Sequence, residues 1–204
     1  ADLSGGFRRG GRVRGGARMR VVAGRLKGRR LKPVPGPRTR PTSDRVREAL
    51  FQILGGKLEP TPTLDLFAGT GALGIEAWSR GAEPIWFVES DSRALRVLHE
   101  NLRQVRIDPF CHVFELRAEA ALPRLKARDL HFGLILADPP YAATRDFWQR
   151  SRDHWSALLS PSGVLVLEHG RGCHLPDPPG LRSLPTRVYG DSALSLWTRS
   201  EEAP

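Results

Sequence analysis

The chain has little cysteine: two residues in 204, Cys111 and Cys173, far apart and without a C-x-x-C pair. That excludes a disulfide scaffold and a zinc ribbon, and both thiols are expected to be inert. The six histidines are scattered, and even EHGRGCH at 168–174 has no regular ligand spacing, so no metal is expected. No apolar run approaches the roughly 18 residues of a membrane helix. The Arg- and Gly-rich N-terminal stretch lacks the apolar segment of a secretory signal. The expectation is a cytoplasmic, monomeric protein. Lysine is scarce as well, 4 against 28 arginines, so arginine richness alone marks no site.

What remains, 40% apolar and 26% charged, is enough for one α/β domain with a real core and an appendage. Charge is unevenly placed. Residues 1–40 hold 13 basic groups against one acid, which leaves 19 basic and 21 acidic groups in the rest of the chain. A basic arm on a near-neutral domain is the footprint of a nucleic-acid binder, because phosphate neutralisation supplies most sequence-independent affinity. Residues 1–18 read as a flexible basic extension, with a merely solubilising tail as the alternative. Residues 19–41 read as a small basic hairpin with Gly24 and Gly28 at its turns. Its candidate nucleic-acid contacts are Arg20, Arg25, Lys27, Arg29, Arg30, Lys32, Arg38 and Arg40.

From 42 to 204 the pattern is that of one domain. PTSDRVREALFQIL opens with Thr42 or Ser43 as N-cap and sets Val46, Leu50, Ile53 and Leu54 on one helical face. Apolar runs at 63–67, 84–88, 112–116, 132–137 and 163–168 then alternate with helical stretches near 72–80, 91–105, 119–128 and 144–159. Repeated β-α-β units predict a parallel sheet covered on both faces. Near the C-terminus, Tyr189-Gly190-Asp191 separates two strand-like runs, an antiparallel hairpin that brings the sheet to seven strands.

Sites in such sheets lie at the carboxyl ends of the strands. At the first, LDLFAGTGALGIEA, Gly69, Gly71 and Gly74 follow a strand and open a helix, and Glu89 ends the next strand. This is the arrangement that holds a nucleoside cofactor, the acid meeting the ribose. Asp65 would repel a diphosphate but attract the ammonium and sulfonium of S-adenosylmethionine. Its alternative role is to bond neighbouring amides. The expected cofactor contacts are Asp65, Phe67, Ala68, Gly69, Thr70, Gly71, Gly74, Glu89 and Ser90, while Asp91 reads as a helix N-cap. The D-x-F-x-G-x-G form resembles the first motif of class I methyltransferases, whose Rossmann-like fold it implies.

The fourth strand ends in LILADPPYAAT. Asp138 would face the methyl group across the switch point, and Pro139 and Pro140 stiffen the turn while leaving the Pro139 carbonyl as an acceptor. One carboxylate oxygen and one carbonyl can grip the two hydrogens of an exocyclic amine. Tyr141 would offer a flat face to a flipped-out base. Such a D-P-P-Y element resembles the catalytic motif of amino-methyltransferases acting on nucleic-acid bases, with Asp138, Pro139, Pro140 and Tyr141 as its members.

VVAGRLKGRRL, RPTSDRVREALF, DLFAGTGALGIEA, DPPY and YGDSALSLW, in that order, resemble the bacterial 16S rRNA guanine-N2 methyltransferases of the RsmD type. The resemblance implies S-adenosylmethionine as donor and the small ribosomal subunit or its rRNA as partner. It also places Arg40, Thr42 and Arg47 beside donor or RNA, adding Thr42 to the cofactor contacts and Arg47 to the RNA contacts. The acid that many methyltransferases set beside the adenine amine is missing, so Ala118 through its backbone, or Glu119, must serve. A DNA adenine-N6 or cytosine-N4 methyltransferase would share both motifs but carry a large target-recognition insertion. A non-catalytic rRNA-binding assembly factor would not need Asp138, Pro139 and Tyr141 together.

Overall fold

Each switch from a two-residue to a 3.6-residue apolar period marks a strand giving way to a helix, and the chain folds accordingly. The computed structural model describes residues 19–35 and 44–200; Arg38, Arg40 and Thr42 lie outside them. The strands are β1 (Thr63–Leu66), β2 (Ile85–Glu89), β3 (Cys111–Glu115), β4 (Phe132–Ala137), β5 (Leu159–Gly170), β6 (Leu181–Tyr189) and β7 (Ser192–Arg199). They form one sheet in the order β3-β2-β1-β4-β5-β7-β6. The first five are parallel and β7 is antiparallel to both β5 and β6. The strand order reverses between β1 and β4, where Leu66 pairs with Ala137, so a cleft opens beyond the carboxyl ends of these two strands.

Helices α1 (Asp44–Ile53), α2 (Ala72–Arg80) and α3 (Ser92–Val105) cover one face of the sheet; α4 (Ala118–Ala127), α5 (Thr144–Ser151) and α6 (Trp155–Leu158) cover the other. In α1, Val46 and Leu50 point inward as expected, but Ile53 is 39% exposed and Phe51 takes the core position. The helix ends at Ile53, and Leu54 just beyond it packs partly buried against the same core. The single helix expected over 144–159 is instead broken by a 3-10 turn, Arg152–His154. Ser151 Oγ donates back to the Trp148 carbonyl, competing with the helical ladder, and the tightened turn aims Trp155 and Leu158 into the core.

The basic hairpin forms with one antiparallel bridge, Arg20 opposite Arg30, around the 3-10 turn Gly24–Leu26. Its two arms are joined by backbone bonds from the Val21, Gly28 and Leu31 amides to the Arg29, Val21 and Met19 carbonyls, and side chains of the helices take the remaining backbone groups. Glu76 accepts the Val22 and Ala23 amides, Ser79 bonds both Ala23 and Leu26, and the Asn101 amide bonds Lys32 at both its N–H and its C=O. Met19, Val21 and Leu31 are buried in the same core as α1, α2 and α3. Residues 19–35 therefore pack as part of the domain, with no core of their own.

Candidate active site

Two turns meet at the switch point. The first follows β1: Phe67 and Gly69 adopt positive φ, as does Gly71, which caps α2. Gly74 sits where α2 crosses β2 so closely that a Cβ would run into the Phe87 ring. Beside Gly69 the nearest atom to such a Cβ would be 3.9 Å away, so this side of the turn has room for a ligand. Glu89, half-buried at the end of β2, accepts the Gly69 amide with one oxygen and the Ser90 and Asp91 amides with the other. Asp91 caps α3 as expected, accepting from Arg93 and Ala94.

Asp65 differs from the expectation of a carboxylate presented to the ligand. It is 1% exposed and accepts the Gly74 amide at 2.8 Å, so its direct role is to hold the turn. Burial pushes its carboxyl up to about 7, with the Gly74 hydrogen bond opposing and the nearby Glu89 charge adding. Thr70 is tied from outside: its hydroxyl meets the Met19 sulfur and its carbonyl accepts from Asn101. Phe67 packs edge-on against Phe147 on one face of the sheet, and Ala68 is buried in the core of the other. Ala118 opens α4, whose first turn has no side-chain cap, whereas the Glu119 side chain is exposed and 3.5 Å from Arg150.

The second turn follows β4. The Asp138 amide reaches the carbonyl of Leu66, which fixes residue 138 next to the first turn. Pro140 uses its carbonyl within the turn, accepting from Ala143 and Thr144. Among the described residues no donor takes the Pro139 carbonyl. Tyr141 is 38% exposed, and its hydroxyl is anchored to Glu168 and Ser192. Burial, and next the Glu168 charge, raise the phenol above its ordinary pKa, while Ser192 opposes them. Glu168 and Ser192 carried no local signal; they approach Tyr141 only because β5 and β7 are neighbours.

The basic candidates divide. Arg47 is a correction: it is fully buried, donating to the Arg20 carbonyl and to Asp44, with Glu76 3.8 Å from its Nε. Burial pulls its guanidinium below the ordinary value while Asp44 and Glu76 hold it up. It serves the fold and has no surface to offer RNA. Arg20, Arg25, Lys27, Arg29, Arg30 and Lys32 are exposed. Arg20 and Arg30 line a cavity of about 400 Å³ with Gly28 and Asp44, and Lys32 pairs with Glu100 near the Thr70 turn. Arg25 lies at the other end of α2, 3.7 Å over the Trp78 ring and paired with Glu83. Among the described residues no three His, Cys, Asp or Glu side chains converge as metal ligands, and no helix is long and apolar enough to cross a membrane. Burial pushes the Cys111 thiol up to about 11, which keeps it protonated and unreactive.

A family described as conserved hypothetical protein 95 matches residues 19–198. Ribosomal RNA small subunit methyltransferase D of Haemophilus influenzae is 35% identical over 184 residues, 88% of this chain and 93% of that protein. Among solved structures, a hypothetical protein of Thermus thermophilus, TTHA0928, superposes with a TM-score of 0.74 at 34% identity, covering 89% of this chain and 99% of its own. A SAM-dependent methyltransferase from Agrobacterium tumefaciens shares the fold, with a TM-score of 0.60 at 20% identity over 79% of this chain and 63% of its own.

Proposed function

The chain belongs to the conserved hypothetical protein 95 family, and from that premise we propose that it is an S-adenosylmethionine-dependent rRNA methyltransferase acting on the exocyclic N2 amine of a guanine in 16S rRNA. One observation carries the reading. The Asp138-Pro139-Pro140-Tyr141 turn and the glycine turn are joined at the switch point by the bond from the Asp138 amide to Leu66. On this reading an amine-gripping pair meets a nucleoside cradle.

The cradle suits the donor: Glu89 presents a carboxylate to ribose hydroxyls, the positive-φ turn leaves room beside Gly69, and the buried Asp65 charge favours a cationic ligand through the turn. S-adenosylmethionine, when bound, supplies a methyl group on a positively charged sulfur. The chain's own residues do the rest. Asp138 and the Pro139 carbonyl accept the two amine hydrogens, which aims the nitrogen lone pair along the line of transfer and favours the positive charge that develops there. Tyr141 stacks the base, worth about 1–3 kcal/mol. No strong base is required, because the nitrogen proton becomes acidic only after transfer and then leaves readily. Arg20, Arg29, Arg30 and Lys32 supply phosphate contacts.

The test is methyl transfer from labelled donor to small subunits, naked 16S RNA and duplex DNA, followed by nucleoside analysis. N2-methylguanosine from the ribosomal substrates is expected. Asp138→Ala should abolish transfer while donor binding, measured by calorimetry, stays near the wild-type value. Label in N6-methyladenine or N4-methylcytosine of DNA, or full activity of the variant, would overturn the assignment.

A further inference from the structure

No step of the transfer uses the Tyr141 hydroxyl, yet it is the centre of a hydrogen-bond chain that links the ends of three elements. Ser192 Oγ lies 2.6 Å from Tyr141 Oη, and Tyr141 donates to Glu168 Oε1 at 3.1 Å. A phenol has one proton to give. Here it goes to the carboxylate, so Ser192 must be the donor to the phenol oxygen, and the order is Ser192 to Tyr141 to Glu168. Glu168 and Ser192 are each 7% exposed, while the tyrosine is 38% exposed. The hydroxyl is therefore tied to two buried partners although the residue itself reaches solvent, unlike an ordinary surface tyrosine whose hydroxyl bonds only water.

Two further facts argue that this arrangement serves the ring. Glu168 continues an otherwise apolar stretch of β5, Leu165-Val166-Leu167, and burying a carboxylate there is unfavourable unless a donor is provided for it. Tyr141 is that donor. Gly170, two residues on, lies against one side of the ring: a Cβ there would come 3.4 Å from Tyr141 Cδ2. Strand β5 thus contributes a carboxylate to the tip of the ring and bare backbone to its edge. Rotation about the ring bond of tyrosine is otherwise soft, and a charge-assisted bond to the hydroxyl, with a second from Ser192, restrains it.

We propose that Glu168 and Ser192 are positioning residues for the target base, holding the Tyr141 ring at one height and tilt beside Asp138 so that the stacked base presents its amine in line for transfer. The proposal rests on the reading of Tyr141 as the base platform. The two are separated by a double-mutant cycle on turnover with small-subunit rRNA, using Tyr141→Phe, Glu168→Leu, Ser192→Ala and the paired variants, with Tyr141→Ala as reference. Glu168→Leu and Ser192→Ala should each lower kcat about 10- to 100-fold, the scale of a misplaced reactant, with little change in donor affinity. In the Tyr141→Phe background neither should reduce kcat by more than about twofold further, because residues acting through one hydroxyl are not additive. Ser192→Thr, which keeps the donor, should restore turnover. If Glu168→Leu does not fold, the Ser192 arm of the cycle decides alone. Losses that persist undiminished without the Tyr141 hydroxyl, or unchanged turnover in both single variants, overturn the positioning role. Full activity of Tyr141→Ala would instead remove the platform reading beneath it.

Discussion

The buried carboxylate of Asp65 accepts the Gly74 amide at 2.8 Å, tying the end of β1 to the first turn of α2. This one bond links the pH response of the fold to that of the cofactor cradle. Burial raises Asp65 from 3.8 to about 7. The folded chain therefore holds this proton more tightly than the unfolded chain does. Its contribution to stability is fully present below pH 3.8 and is lost as pH rises through about 7. A cationic donor acts in the opposite sense, favouring the ionised acid. Donor affinity should accordingly rise between about pH 6 and 8, by at most about tenfold per pH unit for one linked proton. Asp65→Asn should flatten both profiles. Calorimetric titration across that range checks the first and urea unfolding at each pH checks the second.

The three glycines of the turn should respond differently to alanine. At Gly74 a Cβ collides with the Phe87 ring, inside a sheet that cannot move aside, so Gly74→Ala should lose about 1–3 kcal/mol of stability through overpacking. Gly71 combines positive φ with a contact to Leu98 and should lose at least as much. Gly69 has no such neighbour and loses only the roughly 1–2 kcal/mol of a left-handed L residue. Its substitution should instead weaken donor binding, because the Cβ would occupy the open side of the cradle. Thermal unfolding and donor titration on the three variants separate these outcomes.

Much of this was legible in the sequence because the relevant signals are local. The glycine turn, Glu89 and D-P-P-Y each combine a residue type with a backbone constraint inside a few positions, and the alternation of periods placed them at strand ends. What failed was long-range. Arg47 looks like any arginine on the polar side of a helix; only Glu76, from the next helix, shows that it is buried. The hairpin pattern of 19–35 was legible, with Arg20 opposite Arg30, but nothing local showed that Glu76, Ser79 and Asn101 would take the backbone groups on its other edge. Glu168 and Ser192 sit 27 and 51 positions from Tyr141 and meet it through strand pairing alone.

The buried acid Glu76 joins the N-terminal arm to the domain. It accepts two arm amides and pairs with Arg80 at 2.8 Å and, more distantly, with Arg47. Glu76→Ala leaves two buried guanidiniums short of a partner and two amides short of an acceptor. A loss of about 3–5 kcal/mol is expected, the scale of breaking a buried ion pair from one side. Glu76→Gln keeps an acceptor for the amides and should lose less. Urea denaturation gives the magnitudes. Limited trypsin digestion should release the arginine-rich arm from the alanine variant first.

The arm's cations should differ in their effect on RNA binding according to which end of α2 they occupy. Arg30 and Arg20 line one cavity, and Lys32 is bonded through Asn101 to the same turn that cradles the donor. Arg25 is 3.7 Å over the Trp78 ring and paired with Glu83, at the end of α2 away from the cleft. A phosphate contact removed should reduce the slope of log affinity against log salt by about 1. Arg30→Ala is expected to do so and to weaken 16S RNA binding, whereas Arg25→Ala should leave the slope nearly unchanged. Its own loss should appear in stability, at about 0.5–1 kcal/mol for an exposed cation on an indole. Binding measured at several salt concentrations distinguishes the two. Equal slopes for Arg30→Ala and wild type would move the phosphate contact off this cavity.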